Sequence, residues 1–222
     1  MLYYLMLSAA CLRVVFDLKM ELSIAIQICR YFLRLEYRQK RSDKSQETIM
    51  LTDTDLQNLR RCVELATEAL EAGDEPFGSV LVAADGTVLA EDRNRVGSGD
   101  PTRHPEFELA RWAAANMTSE ERAAATVYTS GEHCPMCAAA HGWVGLGRIV
   151  YASSSEQLAA WFTELGSAAP PVRALRIQEV VPGVQVEGPV AALAEQVHDL
   201  HQRFYHKYKQ SRKEKGPDSS SL

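Results

Sequence analysis

The chain has 222 residues, 46% of them apolar, which is room for one α/β domain with a real core and additional sequence around it. Its charge is uneven: Leu51 to Leu200 holds 22 acidic residues, 10 arginines and no lysine, a net of −12, while the two ends hold the other 14 basic residues and 7 acids. Affinity for nucleic acid rests on Lys and Arg neutralising phosphates, so this acidic body argues against a polyanionic partner and for a small, uncharged substrate.

At the N-terminus, Met1–Leu12 is apolar but little more than half the ~20 residues a membrane span requires. No basic segment precedes it, as one would in a secretory signal. Leu22–Leu33 is interrupted by Gln27 and Arg30, and the charged run Arg34–Lys44 reads as a solvated linker. No membrane partner is expected. Composition changes sharply before Met50-Leu51-Thr52-Asp53. Residues 1–49 are expected to be an extension outside the working fold, residues 50–208 a domain with a C-terminal helix, and residues 209–222 a polar, disordered tail.

Within the domain, Leu56, Leu59, Val63, Ala66 and Leu70 line one face of a helix, with capping-box spacing at Thr54 and Gln57 and a stop at Gly73. Ser79–Ala84 and Thr87–Glu91 read as strands joined at Asp85-Gly86, a hairpin signal. Asn94–Asp100 is a polar loop. Pro105 opens a helix over Glu106–Asn116. Ala125–Thr129 reads as a buried strand, Pro135 to Trp143 as a helix, Arg148–Ala152 as a strand and Ser153–Leu165 as a helix. Ala168–Pro171 is a loop, and Ile177–Val181 and Val184–Val186 look like strands about Pro182-Gly183. Leu193, Val197, Leu200 and Phe204 mark a last helix over Val190–Tyr208. Interleaved helices and strands make the class α/β, with helices on both faces of a sheet.

His104-Pro105-Glu106 and Cys134-Pro135-Met136-Cys137 carry the chemistry. His104, Cys134 and Cys137 are the imidazole and thiolate ligands that Zn2+ prefers, and three ligands leave a fourth position open for water. Both segments start helices, whose N-terminal partial positive charge of about +0.5 favours thiolate. Glu106 can reach the water without being a ligand. A redox reading of Cys-x-x-Cys leaves His104 and Glu106 unexplained. A closed structural site is the sharper rival, because His141 lies four residues after Cys137 on the same helix face and would complete a Cys2His2 set. His133 reads as a pocket-wall or surface residue, and His198, His201 and His206 as solvated positions on the last helix. Cys62 falls on an apolar helix face as a small core residue. The five cysteines show no disulfide framework, which fits a cytoplasmic location.

His-x-Glu followed by Cys-x-x-Cys is a zinc deaminase signature. The chain resembles the cytidine/deoxycytidylate deaminase superfamily, in the branch of guanine deaminases, cytosine deaminases and tRNA adenosine deaminases. The likeness runs from Leu56 to Ala152. It rests also on Pro76-Phe77-Gly78, Asn94, Asp100-Pro101-Thr102, Thr129-Ser130-x-Glu132, Trp143 and Tyr151-Ala152. The resemblance implies a three-layer α/β/α sandwich around one mixed sheet of about five strands. It implies His104, Cys134 and Cys137 as zinc ligands, Glu106 as proton shuttle, Asn94 as a substrate-binding amide, and Phe77 and Gly78 as pocket lining. It also implies a homodimer. The plainer reading of Asn94 is a turn residue, and that of Phe77 is core packing. The chain departs from the family pattern at Pro105, at Gly131 and His133 in place of the usual Cys and Pro, and after Tyr151, where Trp161 and Phe162 supply a different wall. The expected function is hydrolytic deamination of a nucleobase or nucleoside, with guanine foremost because Asn94 and Asp100-Pro101-Thr102 resemble that branch. Wobble-adenosine deamination in tRNA and a non-catalytic zinc module are the alternatives.

Overall fold

A computed structural model of the chain describes residues 51–167 and 170–209. The expected N-terminal extension, the tail beyond Lys209 and part of the Ala168–Pro171 loop fall outside the described residues.

Helix α1 spans Asp53–Glu71. Its capping box lies two residues earlier than the sequence spacing suggested: the Thr52 hydroxyl accepts the Asp55 N–H at 3.1 Å, and the Asp55 carboxylate accepts the Thr52 N–H at 2.9 Å. Aspartate does here what the sequence reading assigned to Gln57. A five-stranded sheet follows, in the order β2-β1-β3-β4-β5, with β1 at Gly78–Val82, β2 at Val88–Arg93, β3 at Thr126–Gly131, β4 at Arg148–Ser153 and β5 at Val186–Glu187. β1 pairs antiparallel with both β2 and β3, whereas β3, β4 and β5 run parallel, so the sheet is mixed.

Alternation along the strands assigns the two faces. Val80, Val82, Tyr128, Val150 and Ala152 pack on α1, on Trp161 of α5 (Ser155–Glu164) and on Leu193, Val197 and Leu200 of α7 (Ala191–Phe204). Leu81 and Val127 pack the other way, on Leu109, Ala110 and Ala113 of α2 (Pro105–Asn116). Ile149 meets Ala138 of α4 (Pro135–Val144) and Ile177 of α6 (Ile177–Val180). The sheet is thus covered on both sides, the expected three-layer sandwich. Cys62 is fully buried in the first cluster. No helix among the described residues is long and apolar enough to cross a membrane.

Two elements differ from expectation. Ile177–Val180 is a short helix, not a strand, because the Ile177 N–H is drawn to the Glu132 carboxylate at 3.0 Å and the Arg176 N–H to Glu179 at 2.9 Å. Of the second apolar run, Val184–Val186, only Val186 joins the sheet, with Glu187 after it. Helix α3, Ser119–Ala124, was not anticipated; Thr118 and Glu121 form its capping box.

Candidate active site

The ends of β1 and β3 and the starts of α2 and α4 converge. His104 is the N-cap of α2 and Cys134 the N-cap of α4, both with extended backbone, and proline follows each at the first helical position. Proline there gives up an N–H that the helix would leave unpaired anyway. His104 Nδ1 lies 3.6 Å from each of Cys134 Sγ and Cys137 Sγ, and the two sulfurs are 3.5 Å apart. Tetrahedral zinc at the usual Zn–S and Zn–N bond lengths separates its ligand atoms by roughly 3.5–3.8 Å, so the triangle fits that ion. The three residues are positioned to bind a metal, and among the described residues they are the one such group. Electrostatics agree with the geometry. The hydrogen bond from Cys137 holds the Cys134 thiol down to about 4 against the effect of burial, with help from His104. The same contact pushes Cys137 well above the ordinary thiol range, as do burial and the charge of Glu106. Two neighbouring sulfurs share one negative charge easily, and a cation lets both be thiolates.

His141 stands outside this triangle. It is 1% exposed, and its Nε2 lies 3.0 Å from the Gly147 carbonyl oxygen. That contact, not the metal, is what the residue four positions after Cys137 serves, so the closed Cys2His2 site is not formed. His133 is buried, not superficial: it is 1% exposed with its ring edge-on to His141 at 5.4 Å, and burial drives its pKa well below the usual imidazole range.

Glu106, at the second position of α2, is 5% exposed. Its Oε1 accepts the Thr129 hydroxyl at 2.7 Å; Ser79 Oγ lies 3.1 Å from the same oxygen and donates to Thr129 Oγ1 at 2.9 Å. Burial raises the Glu106 pKa, while the His104 charge and the Thr129 hydroxyl oppose the rise. Ser79 and Thr129 face each other across the β1–β3 ladder, and both are fully buried. The sequence reading gave neither a role. Ser79 is the one hydroxyl in an otherwise apolar β1, which is a signal, whereas β3 carries Thr126, Tyr128 and Ser130 beside Thr129, so its sequence does not single Thr129 out.

Asn94 follows β2 and is fully buried. Its N–H donates to the Phe77 carbonyl at 2.9 Å and its Oδ1 accepts the Val96 N–H at 3.0 Å, while Nδ2 is buried with no protein partner. Buried amide nitrogens are rarely left unmatched, which makes Asn94 a candidate ligand contact. The Phe77 ring is half-buried, 5.0 Å from the His201 ring. A Cβ at residue 131 would lie 3.0 Å from Phe77 Cε1, so Gly131 makes room for that ring. A Cβ at residue 78 would lie 2.4 Å from the Leu65 Cβ and 2.6 Å from the Cys62 carbonyl oxygen, so Gly78 is required by the close approach of α1. His201 is not solvated: it is 3% exposed, packed against Phe77, Trp161 and Phe162. His198 is half-buried and stacks on Trp161 at 4.6 Å. Glu132, next to the metal segment, accepts the Ser155 N–H at 2.8 Å and the Ile177 N–H at 3.0 Å, tying α5 and α6 to the site.

A buried carboxylate beside a His/Cys/Cys triangle, at the end of a mixed sheet between two helix starts, defines a hydrolytic zinc centre in form. Comparison with known proteins gives the family. The model of the cytidine and deoxycytidylate deaminase zinc-binding region matches residues 52–153. A probable cytosine deaminase of Schizosaccharomyces pombe is 32% identical over 120 residues, covering 54% of this chain and 73% of the relative. The guanine deaminase of Bacillus subtilis is 40% identical over 97 residues, 43% of this chain and 62% of the relative. A tRNA-specific adenosine deaminase of Haemophilus influenzae is 32% identical over 104 residues, 46% of this chain and 60% of the relative. In structure, the guanine deaminase from Nitrosomonas europaea superposes with a TM-score of 0.51 at 20% identity, over 65% of this chain and 83% of that one, a likeness of fold. The chain belongs to the cytidine and deoxycytidylate deaminase superfamily, in the branch that holds cytosine, guanine and tRNA adenosine deaminases.

Proposed function

We propose that this chain is a zinc-dependent hydrolytic deaminase of a small nucleobase or nucleoside, with guanine the leading substrate. The observation that carries the reading is Glu106: a buried carboxylate two residues from a metal-positioned histidine, held at one oxygen by the Thr129 hydroxyl, with Ser79 Oγ behind it 3.1 Å from the same oxygen. His104, Cys134 and Cys137 would hold a zinc ion, which would supply Lewis-acid activation of water. Glu106 takes one proton of the attacking water and hands it to the ring nitrogen beside the carbon under attack, then takes the second from the hydroxyl now on that carbon and delivers it to the departing amine. Water is consumed, an exocyclic C–NH2 becomes C=O, and ammonia leaves. Burial raises the Glu106 pKa above the ordinary carboxylate value, the direction that suits a carboxyl which must both accept and release a proton. The unmatched Nδ2 of Asn94 donates to the base, and the Phe77 ring flanks it.

Guanine is supported by Asn94 and Asp100-Pro101-Thr102 and by the 40% identity to a guanine deaminase. The net of −12 between Leu51 and Leu200 weighs against an RNA substrate. A homodimer accompanies the reading, supported by the 90% exposure of Trp143 on α4, and sedimentation equilibrium measures it. The absence of a disulfide among the described cysteines supports a cytoplasmic setting. The function is tested by Glu106→Gln, which keeps shape but cannot carry the proton: zinc content should hold while ammonia release falls by more than ~100-fold. A zinc-loaded variant with near-normal turnover would remove Glu106 from the chemistry.

A further inference from the structure

Asn94 can offer Nδ2 to a ligand only if its loop is held so that Oδ1 is occupied and Nδ2 is not. The hold originates at the end of α1. Gly73, at φ 89°, donates its N–H to the Leu70 carbonyl at 3.1 Å, and Asp74 donates to the Ala69 carbonyl at 2.9 Å. These paired bonds are a Schellman end, which favours glycine in the left-handed conformation. They fix the backbone of Asp74, whose side chain is 10% exposed. Each carboxylate oxygen then takes one donor from the segment around Asn94: Oδ1 from the Gly97 N–H at 2.7 Å, Oδ2 from Arg93 Nη1 at 2.8 Å. The same Arg93 nitrogen donates to the Asn94 carbonyl at 2.9 Å. Asn94 is therefore gripped on both sides, and the Val96 N–H that fills its Oδ1 belongs to the residue before the clamped Gly97.

We propose that Asp74 is a positioning residue for the reaction, holding the Arg93–Gly97 turn so that Asn94 presents a free Nδ2 to the substrate. The inference rests on the reading of Asn94 as a substrate contact. A carboxylate is required at residue 74 because both of its oxygens face donors; an amide would turn an NH2 group against an N–H or a guanidinium. Glycine at residue 97 lets the carboxylate come this close, since a Cβ there would lie 2.6 Å from Asp74 Oδ1. The clamp also reaches the metal segment, because the Arg95 N–H donates at 3.1 Å to the carbonyl of Arg103, the residue before His104.

The test is a double-mutant cycle on the zinc-loaded full chain, reading ammonia release from guanine, or from cytosine if that is turned over faster. Asn94→Ala should lower kcat/KM by about 30-fold or more, chiefly through KM. Asp74→Asn should raise KM about 10-fold with kcat within about 2-fold and zinc content unchanged, and the double variant should be no worse than Asn94→Ala alone, because the second change acts only through the first. Gly97→Ala retains the carboxylate at residue 74 but pushes it off the residue 97 N–H, and should give the same KM effect, which keeps the test open if Asp74→Asn folds poorly. If Asn94→Ala is impaired but Asp74→Asn and Gly97→Ala leave KM unchanged, or if the single losses multiply in the double variant, the role of Asp74 is overturned and the Asn94 contact stands. If Asn94→Ala alone leaves the kinetics untouched, the reading of Asn94 falls, and the inference with it.

Discussion

Thr129→Val tests the arrangement of Glu106 without touching metal or substrate. Valine matches threonine in shape and removes only the hydroxyl that donates to Glu106 Oε1 at 2.7 Å. Thr129 is fully buried, so no bulk water replaces the lost donor. A hydrogen bond to a charged group in such a setting is worth about 1.5–3 kcal/mol, and 1.36 kcal/mol is tenfold. Ser79, 3.1 Å from the same oxygen, is left to compensate in part, which puts the expected loss of kcat at roughly 10- to 50-fold. KM should barely move, and removing Ser79 as well should deepen the loss. The assay is steady-state ammonia release from protein of measured zinc content, with thermal unfolding as the check on folding. A folded, zinc-loaded Thr129→Val protein with kcat within about 2-fold of the parent would refute the claim that this hydroxyl holds the working carboxylate.

Other consequences are equally direct. His104→Ala, Cys134→Ala and Cys137→Ala should each lose zinc from a stoichiometry of one per chain, whereas His141→Ala should retain it; metal analysis of the dialysed proteins decides. Arg148 donates to Asp55 at 2.7 Å and is ion-paired with Glu187, two carboxylates that are 3% and 5% exposed as residues. Arg148→Met should therefore cost about 3 kcal/mol, because it strips a shared partner from buried charges, and a Tm drop of less than about 2 °C would contradict this. For His201, burial and the nearby His198 hold the folded pKa at about 3 against an ordinary 6.5. The unfolded chain thus binds the extra proton first, so the contribution is complete above pH 6.5 and is lost as pH falls from 6.5 toward 3. His201→Leu should flatten that acid limb in unfolding experiments from pH 7 to 4; an unchanged slope would mean the imidazole is not held neutral.

Much of this fold was legible because its strands and helices obey their own periodicities. The face Leu59, Val63, Ala66 and Leu70 specified α1, and Asp85-Gly86 marked the β1–β2 turn. The metal triangle was legible because its ligands come from two short segments whose spacing is set by chemistry. What escaped notice depended on distant partners. Ile177–Val180 has strand-like residues, yet Glu132, 45 positions away, supplies the acceptor that starts a helix there. His201 passed for a surface residue, although it lies four residues after Val197 and eight after Leu193, within a wide apolar stripe. Only the arrival of Phe77 and Trp161 fixed it as interior. Helix α3 was readable in Thr118-x-x-Glu121 but is short enough to carry no periodicity. The clamp on Asn94 draws on Asp74, Arg93 and Gly97, whose types mark only turns until the chain is folded.

The most direct measurement is ammonia release by the zinc-loaded chain, compared across guanine, cytosine, adenine, their nucleosides and a tRNA anticodon stem, at low and physiological salt. A small base, guanine foremost, should be turned over with kcat/KM nearly independent of salt, as expected of a body with a net of −12 and no lysine between Leu51 and Leu200. Turnover confined to the tRNA stem and falling steeply with salt would contradict the account of the substrate, and no ammonia from any of them would contradict the account of the chemistry.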